Sequence, residues 1–297
     1  MSPFDQDTDD QAFPGRGIVV GRGAAHLGHP DGFIGTGDDL ATKPLGETTP
    51  LGPVPEITEP APVRAHLSFG VTLNRCANPA FAKNTTHFEV RQGSVYNCPL
   101  PALLAAMVYT KQLGKITITE KSQPAISKFK GKSSKVDRYF TVKFPGHDAI
   151  KVTDRFWGSG ACKMEYARST EKALWVSLIE KAYVKLRAGN TYEKLSSADK
   201  SPDANTVVED LTGSEAQVVV VSGETKASLR KHLQTATKTP MIARLHKPNS
   251  NNAHAYTVEG LDPHVPDEVL LFDALKGVSL SLGLDSFKEQ YSHLLFP

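Results

Sequence analysis

Gln92-Gly93-Ser94-Val95-Tyr96-Asn97-Cys98 runs directly into an apolar segment, Pro99–Met107, with helical spacing. A thiol at a helix start is chemically useful. The thiolate is the nucleophile, and positive partial charge at a helix N-terminus favours it. A side-chain amide six residues upstream, at Gln92, reaches the same region and can donate to a developing oxyanion. The Cys98 N–H is a second donor of that kind. Such a nucleophile needs a base to take its proton and an orienter to hold the base.

The chain has ten histidines. His254 stands out because it lies in an alternating segment, Asn252–Val258, that projects it from one face of a strand. The next strand-like run, Val269–Phe272, ends at Asp273. In an antiparallel pair Asp273 approaches the His254 ring edge and fixes its tautomer. His232, His246 and His264 read as surface residues.

These residues need elements to position them. A helix is expected over Pro99–Lys111, with Asn97 as N-cap and proline tolerated in the first turn. Pro101 is near the limit of that tolerance. Short strands are expected at Lys115–Thr119, Tyr139–Phe144 and Ala149–Val152. A second helix, Ser169–Leu186, buries Leu174, Trp175, Leu178, Ile179, Ala182 and Tyr183 as one stripe and stops near Gly189. Its Glu171, Lys172, Glu180 and Lys181 are placed on the wet side. After a polar loop, Ser196–Ala204, strands are expected at Gln217–Val221, Pro240–Leu245, Ala253–Val258 and Val269–Phe272. A helix at Thr225–Thr235 lies between the first two. The fold class is therefore α+β, with a helix-heavy segment 64–212 carrying Cys98 and a β-rich segment 213–297 carrying His254 and Asp273.

Residues 1–63 hold nine of the 20 prolines and ten of the 23 glycines, a composition that signals a disordered segment. Its Gly-Arg-Gly triplets lack the strand–helix context and lysine of a phosphate loop. The net charge is +2, which offers no global field for nucleic acid. The basic run Lys128–Ser134 reads as a solvated loop. No apolar run reaches the ~20 residues of a membrane span, and Met1–Asp10 is not a Sec signal. Three cysteines without CxxC spacing indicate neither a disulfide framework nor a zinc site. Cys76 and Cys162 read as structural thiols in a reducing compartment.

Three blocks in order resemble the catalytic core of calpain-type cysteine proteases, a papain-like group. Gln92-Gly93 with Asn97-Cys98 is similar to the family's Gln-Gly-x-x-x-Asp-Cys motif. Leu174–Leu186, followed by Tyr192-Glu193-Lys194-Leu195, is similar to its Leu-Trp-Pro-x-Leu-Leu-Glu-Lys-Ala-Tyr helix. His254-Ala255-Tyr256-Thr257-Val258-Glu259-Gly260 is similar to its His-Ala-Tyr-Ser-Val-x-Gly motif. The resemblance implies a papain-like fold, with a helical Cys subdomain and a β-rich His subdomain around a substrate cleft. It also implies Cys98 as nucleophile, His254 as general base and acid, and Gln92 in an oxyanion hole. There are departures. Asp273-Ala274-Leu275-Lys276-Gly277 stands where the family has Asn-Pro-Trp-Gly. Pro99 replaces the aromatic after the cysteine, and Tyr96-Asn97 replaces Gly-Asp.

The expected activity is endopeptidase hydrolysis through a Cys98 thioester, with a protein substrate in the cleft. A small core behind a polar N-terminal segment is also reminiscent of bacterial effectors. That role would involve a cognate inhibitor or immunity protein, and a location in the cytoplasm or, by a non-Sec route, in a target cell. A Cys-His-Asp deamidase or transglutaminase-like enzyme is one alternative, and an inactive peptide-binding relative is another. No cofactor is expected. Asp5–Asp10 lacks the ligands and glycine of an EF-hand, and calcium independence is the expectation.

Overall fold

The computed structural model of the chain describes residues 57–122, 138–197, 202–245 and 254–297. Most of the segment expected to be disordered lies outside the described residues, as do Lys128–Ser134 and His246. Residues 57–63 are a correction to that expectation, because they pack as a strap on the body. The Ala61 N–H donates to the Asn190 carbonyl at 2.9 Å, and the Tyr192 N–H donates back to Ala61 at 2.8 Å. Trp157 Nε1–H donates to the Pro60 carbonyl at 2.8 Å, and Val63 is buried beside Tyr166, Tyr192 and Leu195. Pro60 and Pro62 have no N–H to satisfy, so prolines fit a strap as well as a free tail.

A one-turn helix, α1 (Arg64–Leu67), leads into β1 (Thr72–Arg75) and β2 (Val90–Arg91). The helix α2 (Pro99–Tyr109) follows. Next, β3 (Thr117–Ser122), β4 (Arg138–Lys143) and β5 (Ile150–Thr153) form an antiparallel three-stranded sheet. β6 (Arg155–Gly160) pairs with β1 and with β7 (Lys163–Met164), while β8 (Arg168–Ser169) pairs with β2. Two helices, α3 (Trp175–Arg187) and α4 (Ala204–Thr212), complete this part. There follow β9 (Gln217–Val220), α5 (Lys226–Thr235), β10 (Ile242–Leu245), β11 (Ala255–Leu261), β12 (Glu268–Asp273), β13 (Val278–Gly283), α6 (Leu284–Gln290) and β14 (Tyr291–Phe296). These six strands form one antiparallel sheet in the order β13-β12-β11-β10-β14-β9.

The α+β class is as expected. The segment 64–212, expected to be helix-heavy, also carries three small sheets. α3 starts six residues later than its apolar pattern suggests. Arg168 and Ser169 are taken by the ladder with β2, and the Ser169 hydroxyl donates to Glu89 at 2.7 Å. α4 begins at the end of the expected loop. Thr225, by contrast, caps α5 as its sequence suggests, accepting the Ser228 N–H at 3.1 Å.

The core explains the arrangement. Leu100 to Met107 are all buried in α2, and a helix apolar on every side must be enclosed. One apolar cluster joins α2, α3 and α4 to Ile242, Ala255, Phe272 and Leu295 on one face of the six-stranded sheet. The opposite face, through Ala243, Val258, Leu271 and Leu294, packs on Leu229 and Leu233 of α5 and Phe287 of α6. Strand periodicity of two supplies both faces.

Cys76 and Cys162 correct a second expectation. They form a disulfide with Cα atoms 4.9 Å apart, joining the end of β1 to the turn between β6 and β7 across 86 residues. The pairing depends on the β1–β6 register, which spacing alone does not reveal. Disulfides persist mainly in oxidising compartments, so this bond runs against the reducing compartment expected from cysteine count. Among the described residues no helix is long and apolar enough to cross a membrane. Replacing Cys76 with serine should cost about 2–4 kcal/mol, the usual scale for a large closed loop. Denaturant unfolding of the variant against the oxidised protein checks this, and a matching loss should follow reduction of the native chain.

Candidate active site

Residues 92–98 form a loop pinned along its length. The Gln92 N–H donates to the Ala274 carbonyl at 2.9 Å, Ser94 N–H to Glu165 at 3.1 Å, and Tyr96 N–H to Leu195 at 2.8 Å. Gly93 is required sterically, since a Cβ there would lie 2.3 Å from the Tyr166 backbone. Cys98 ends the loop in helical conformation (φ −49°, ψ −31°) and occupies the N-cap position of α2. It is partly buried and is not in the disulfide.

Asn97 does not cap α2 with its side chain. Pro99 and Pro101 remove two of the N–H groups that a cap would accept. The Leu100 N–H is met by the Asn97 backbone carbonyl at 2.9 Å. The Asn97 side chain turns inward instead, and its Nδ2 donates to Glu180 Oε1 at 2.6 Å. Glu180 Oε2 accepts the Ala167 N–H at 2.8 Å. Glu180 and Lys181, expected on the wet side of the helix, are 0 % and 3 % exposed. Lys181 pairs with Glu59 and donates to the Thr153 and Arg155 carbonyls. The strap and β5–β6 enclose the face that α3 alone would expose.

His254 immediately precedes β11, and β11 pairs antiparallel with β12, with Thr257 opposite Phe272. That register lets Asp273, at the end of β12, reach back to the ring. His254 Nε2 lies 2.9 Å from Asp273 Oδ1. Asp273 is 1 % exposed. Its Oδ1 also accepts the Leu275 N–H at 2.9 Å and the Lys276 N–H at 3.3 Å. It is thus both a strand-end turn residue and the histidine's partner. Burial alone would raise its pKa, but His254 and the two backbone donors hold it below the ordinary carboxylate value.

The structure brings Cys98 to His254. Burial pushes His254 down, but hydrogen bonds to Asp273 and Cys98, together with their charges, outweigh it and raise the pKa to about 9. With Nε2 on Asp273, Nδ1 is the nitrogen that can take the thiol proton. The Tyr256 ring meets the imidazole edge-on, with centroids 4.8 Å apart.

Gln92 is 9 % exposed, and its Nε2 donates to the Val95 carbonyl at 2.8 Å. Its Oε1 is buried without a hydrogen-bond partner among the described residues. Among the described residues no group of three or more His, Cys, Asp or Glu is gathered as a metal site.

Sequence reasoning missed the Glu180 tether and a second histidine–carboxylate pair. His87 Nε2 lies 2.6 Å from Glu259 Oε1, with both side chains nearly buried. Glu259 sits in the His254 strand, at a bulge between Val258 and Gly260. Its place in the alternation was visible in the sequence, but nothing there pointed to His87.

A partly buried thiol, an imidazole and a buried carboxylate in this order suit nucleophilic acyl transfer. The model of the calpain family of cysteine proteases matches residues 68–266, and the chain belongs to that family. The matched span takes in Gln92, Cys98 and His254 but ends before Asp273. No curated protein matches the chain.

Asp273→Asn should keep the Oδ1 contacts while removing the negative charge beside His254. With that charge gone, burial is opposed by less, and the His254 pKa falls below about 9. The imidazolium would be lost at lower pH, so the alkaline limb of the activity profile moves down. A ring titration by NMR and a pH–rate profile check this. An unmoved alkaline limb would show that Asp273 does not set the His254 charge.

Proposed function

We propose that this calpain-family cysteine peptidase is an endopeptidase using Cys98, His254 and Asp273 as its catalytic triad. The observation that carries this reading is the imidazole held by Asp273 on one nitrogen and engaged with the Cys98 thiol. In the proposed mechanism His254 Nδ1 takes the thiol proton, and the Cys98 thiolate attacks the scissile carbonyl carbon. The Cys98 N–H and the second Gln92 amide N–H receive the oxyanion. The imidazolium gives its proton to the leaving amine, and a thioester on Cys98 results. Water, deprotonated by His254, then attacks the thioester and releases the carboxylate product and the thiol.

Exposed apolar side chains support a peptide cleft at this place. Tyr96 is 43 % and Leu275 42 % exposed, two residues from Cys98 and from Asp273 respectively. Leu275 stands where the family places a tryptophan, which would leave the imidazole more open to a bulky substrate backbone.

The papain-like division into a Cys-bearing and a His-bearing half is part of the same proposal, as is action as an effector controlled by a cognate inhibitor. The Cys76–Cys162 disulfide supports passage through an oxidising compartment on the way to a target. Calcium independence is proposed as well.

Cys98→Ala should reduce cleavage of a protein substrate to background while leaving unfolding unchanged. N-terminal proteomics of a lysate treated with wild type or variant should show new N-termini with wild type only. A one-dalton gain on glutamines without new N-termini would replace hydrolysis of peptide bonds by deamidation.

A further inference from the structure

Glu180 is fully enclosed, and both of its oxygens are committed, one to the Asn97 amide at 2.6 Å and one to the Ala167 N–H at 2.8 Å. Its neighbour Lys181 is directed to Glu59, and Arg168 acts on it only through its charge. A buried carboxyl without an ion pair is costly, and a link made only for stability can be built from neutral groups. On the other side of the link, Asn97 Oδ1 is buried without a hydrogen-bond partner. The Asn97 amide is therefore anchored through Glu180.

What that anchor fixes is chemical. The peptide joining Asn97 to Cys98 carries the Cys98 N–H on one side. On the other side is the Asn97 carbonyl, which receives the Leu100 N–H at 2.9 Å and starts α2. Pro99 and Pro101 leave the first turn with few such bonds to set its orientation. Tethering the Asn97 side chain to α3 sets that peptide plane, and with it the direction of the N–H beside the sulfur.

We infer that Glu180 is a positioning residue for the oxyanion donor of Cys98, acting through the Asn97 amide. The inference rests on the acyl-transfer reading of the site. It extends that reading to α3, whose own residues do not touch the reacting atoms in it.

Two reagents separate this role from a structural one. Acylation by p-nitrophenyl acetate passes through an oxyanion, whereas alkylation by iodoacetamide does not. Under non-reducing conditions Cys98 is the thiol outside the disulfide, and both reactions report on it. Glu180→Gln would not release the Asn97 amide, because Asn97 could flip and accept from the new amide through Oδ1. Glu180→Leu keeps a similar volume and removes both acceptors, so the Asn97 amide loses its anchor. The acylation burst should slow about ten- to a hundredfold, the scale of a disturbed oxyanion donor, with alkylation changed less than about twofold. Asn97→Ala should behave alike and serves if the Glu180 variants fail to fold. The double variant N97D/E180Q exchanges donor and acceptor. The carboxylate introduced at position 97 accepts from the amide introduced at position 180, whose carbonyl oxygen accepts the Ala167 N–H. It should recover most of the acylation rate.

Folded E180L and N97A proteins with wild-type acylation would overturn the inference and leave the peptidase reading standing. Equal loss of acylation and alkylation, with no rescue in the double variant, would also overturn it by showing a structural role. Failure of wild-type Cys98 to acylate, with intact-mass analysis locating any acetyl group, would overturn the acyl-transfer reading and this inference with it.

Discussion

The Thr257 hydroxyl donates to the Ala102 carbonyl at 2.7 Å across 155 residues of chain, in a fully buried setting. It joins the first turn of α2 to the middle of β11, the helix that begins after Cys98 to the strand that begins after His254. Each end is constrained by more than this bond. α2 is buried from Leu100 to Met107, so it cannot slide without exposing apolar surface worth about 25 cal/mol per Å². β11 lies inside the sheet between β10 and β12, so its register cannot shift without turning its buried face outward. The hydroxyl fixes how two rigid pieces meet, and the thiol–imidazole contact follows from it.

A site fixed in this way can hold charge in a medium of low polarity. Asp273 is 1 % exposed yet stays ionised because it accepts from the imidazole and two backbone N–H groups. His254 stays protonated well above neutral pH because Asp273 and Cys98 outweigh its burial. Its charged form contributes stability that is complete below its ordinary pKa of 6.5 and is lost as pH rises through about 9. Glu89 and Glu180 are different, because burial raises both pKa values, Glu180 to about 7. They act as acceptors for Trp175, Ser169, Asn97 and Ala167. One pair of groups supplies the charge for chemistry, and another orders the scaffold around it.

The legible parts of the sequence were those where one residue's type dictates its surroundings. A cysteine ahead of an apolar helix, and a histidine ahead of a strand whose neighbour ends in aspartate, led to the contacts found between them. Alternation, β-branched content and short apolar runs located β3, β4, β5, β9, β10, β11 and β12. What escaped depends on distant partners. Asn97 looks like a cap, but its side chain turns to Glu180 on α3 and its backbone carbonyl takes the Leu100 N–H instead. Glu180 and Lys181 flank the apolar stripe of α3, and their burial comes from the strap and β5–β6, which no local pattern encodes. The Cys76–Cys162 bond needed the β1–β6 register. Ser169 has the type of a helix start but is held by Glu89 and Val90.

A split site raises the question of whether its halves must still be brought together. The Gln92 N–H already reaches the Ala274 carbonyl at 2.9 Å, beside Asp273. Arg91 reaches toward the Gly277 carbonyl in the same turn. His87 and Glu259 pair at 2.6 Å against the edge of Phe272. The apolar cluster under α2 continues into the sheet without interruption. Separating the halves would break these bonds, expose the buried His87–Glu259 pair and open the shared core together. Each of these costs free energy of the same sign, so alignment of Cys98 with His254 is a property of the folded core.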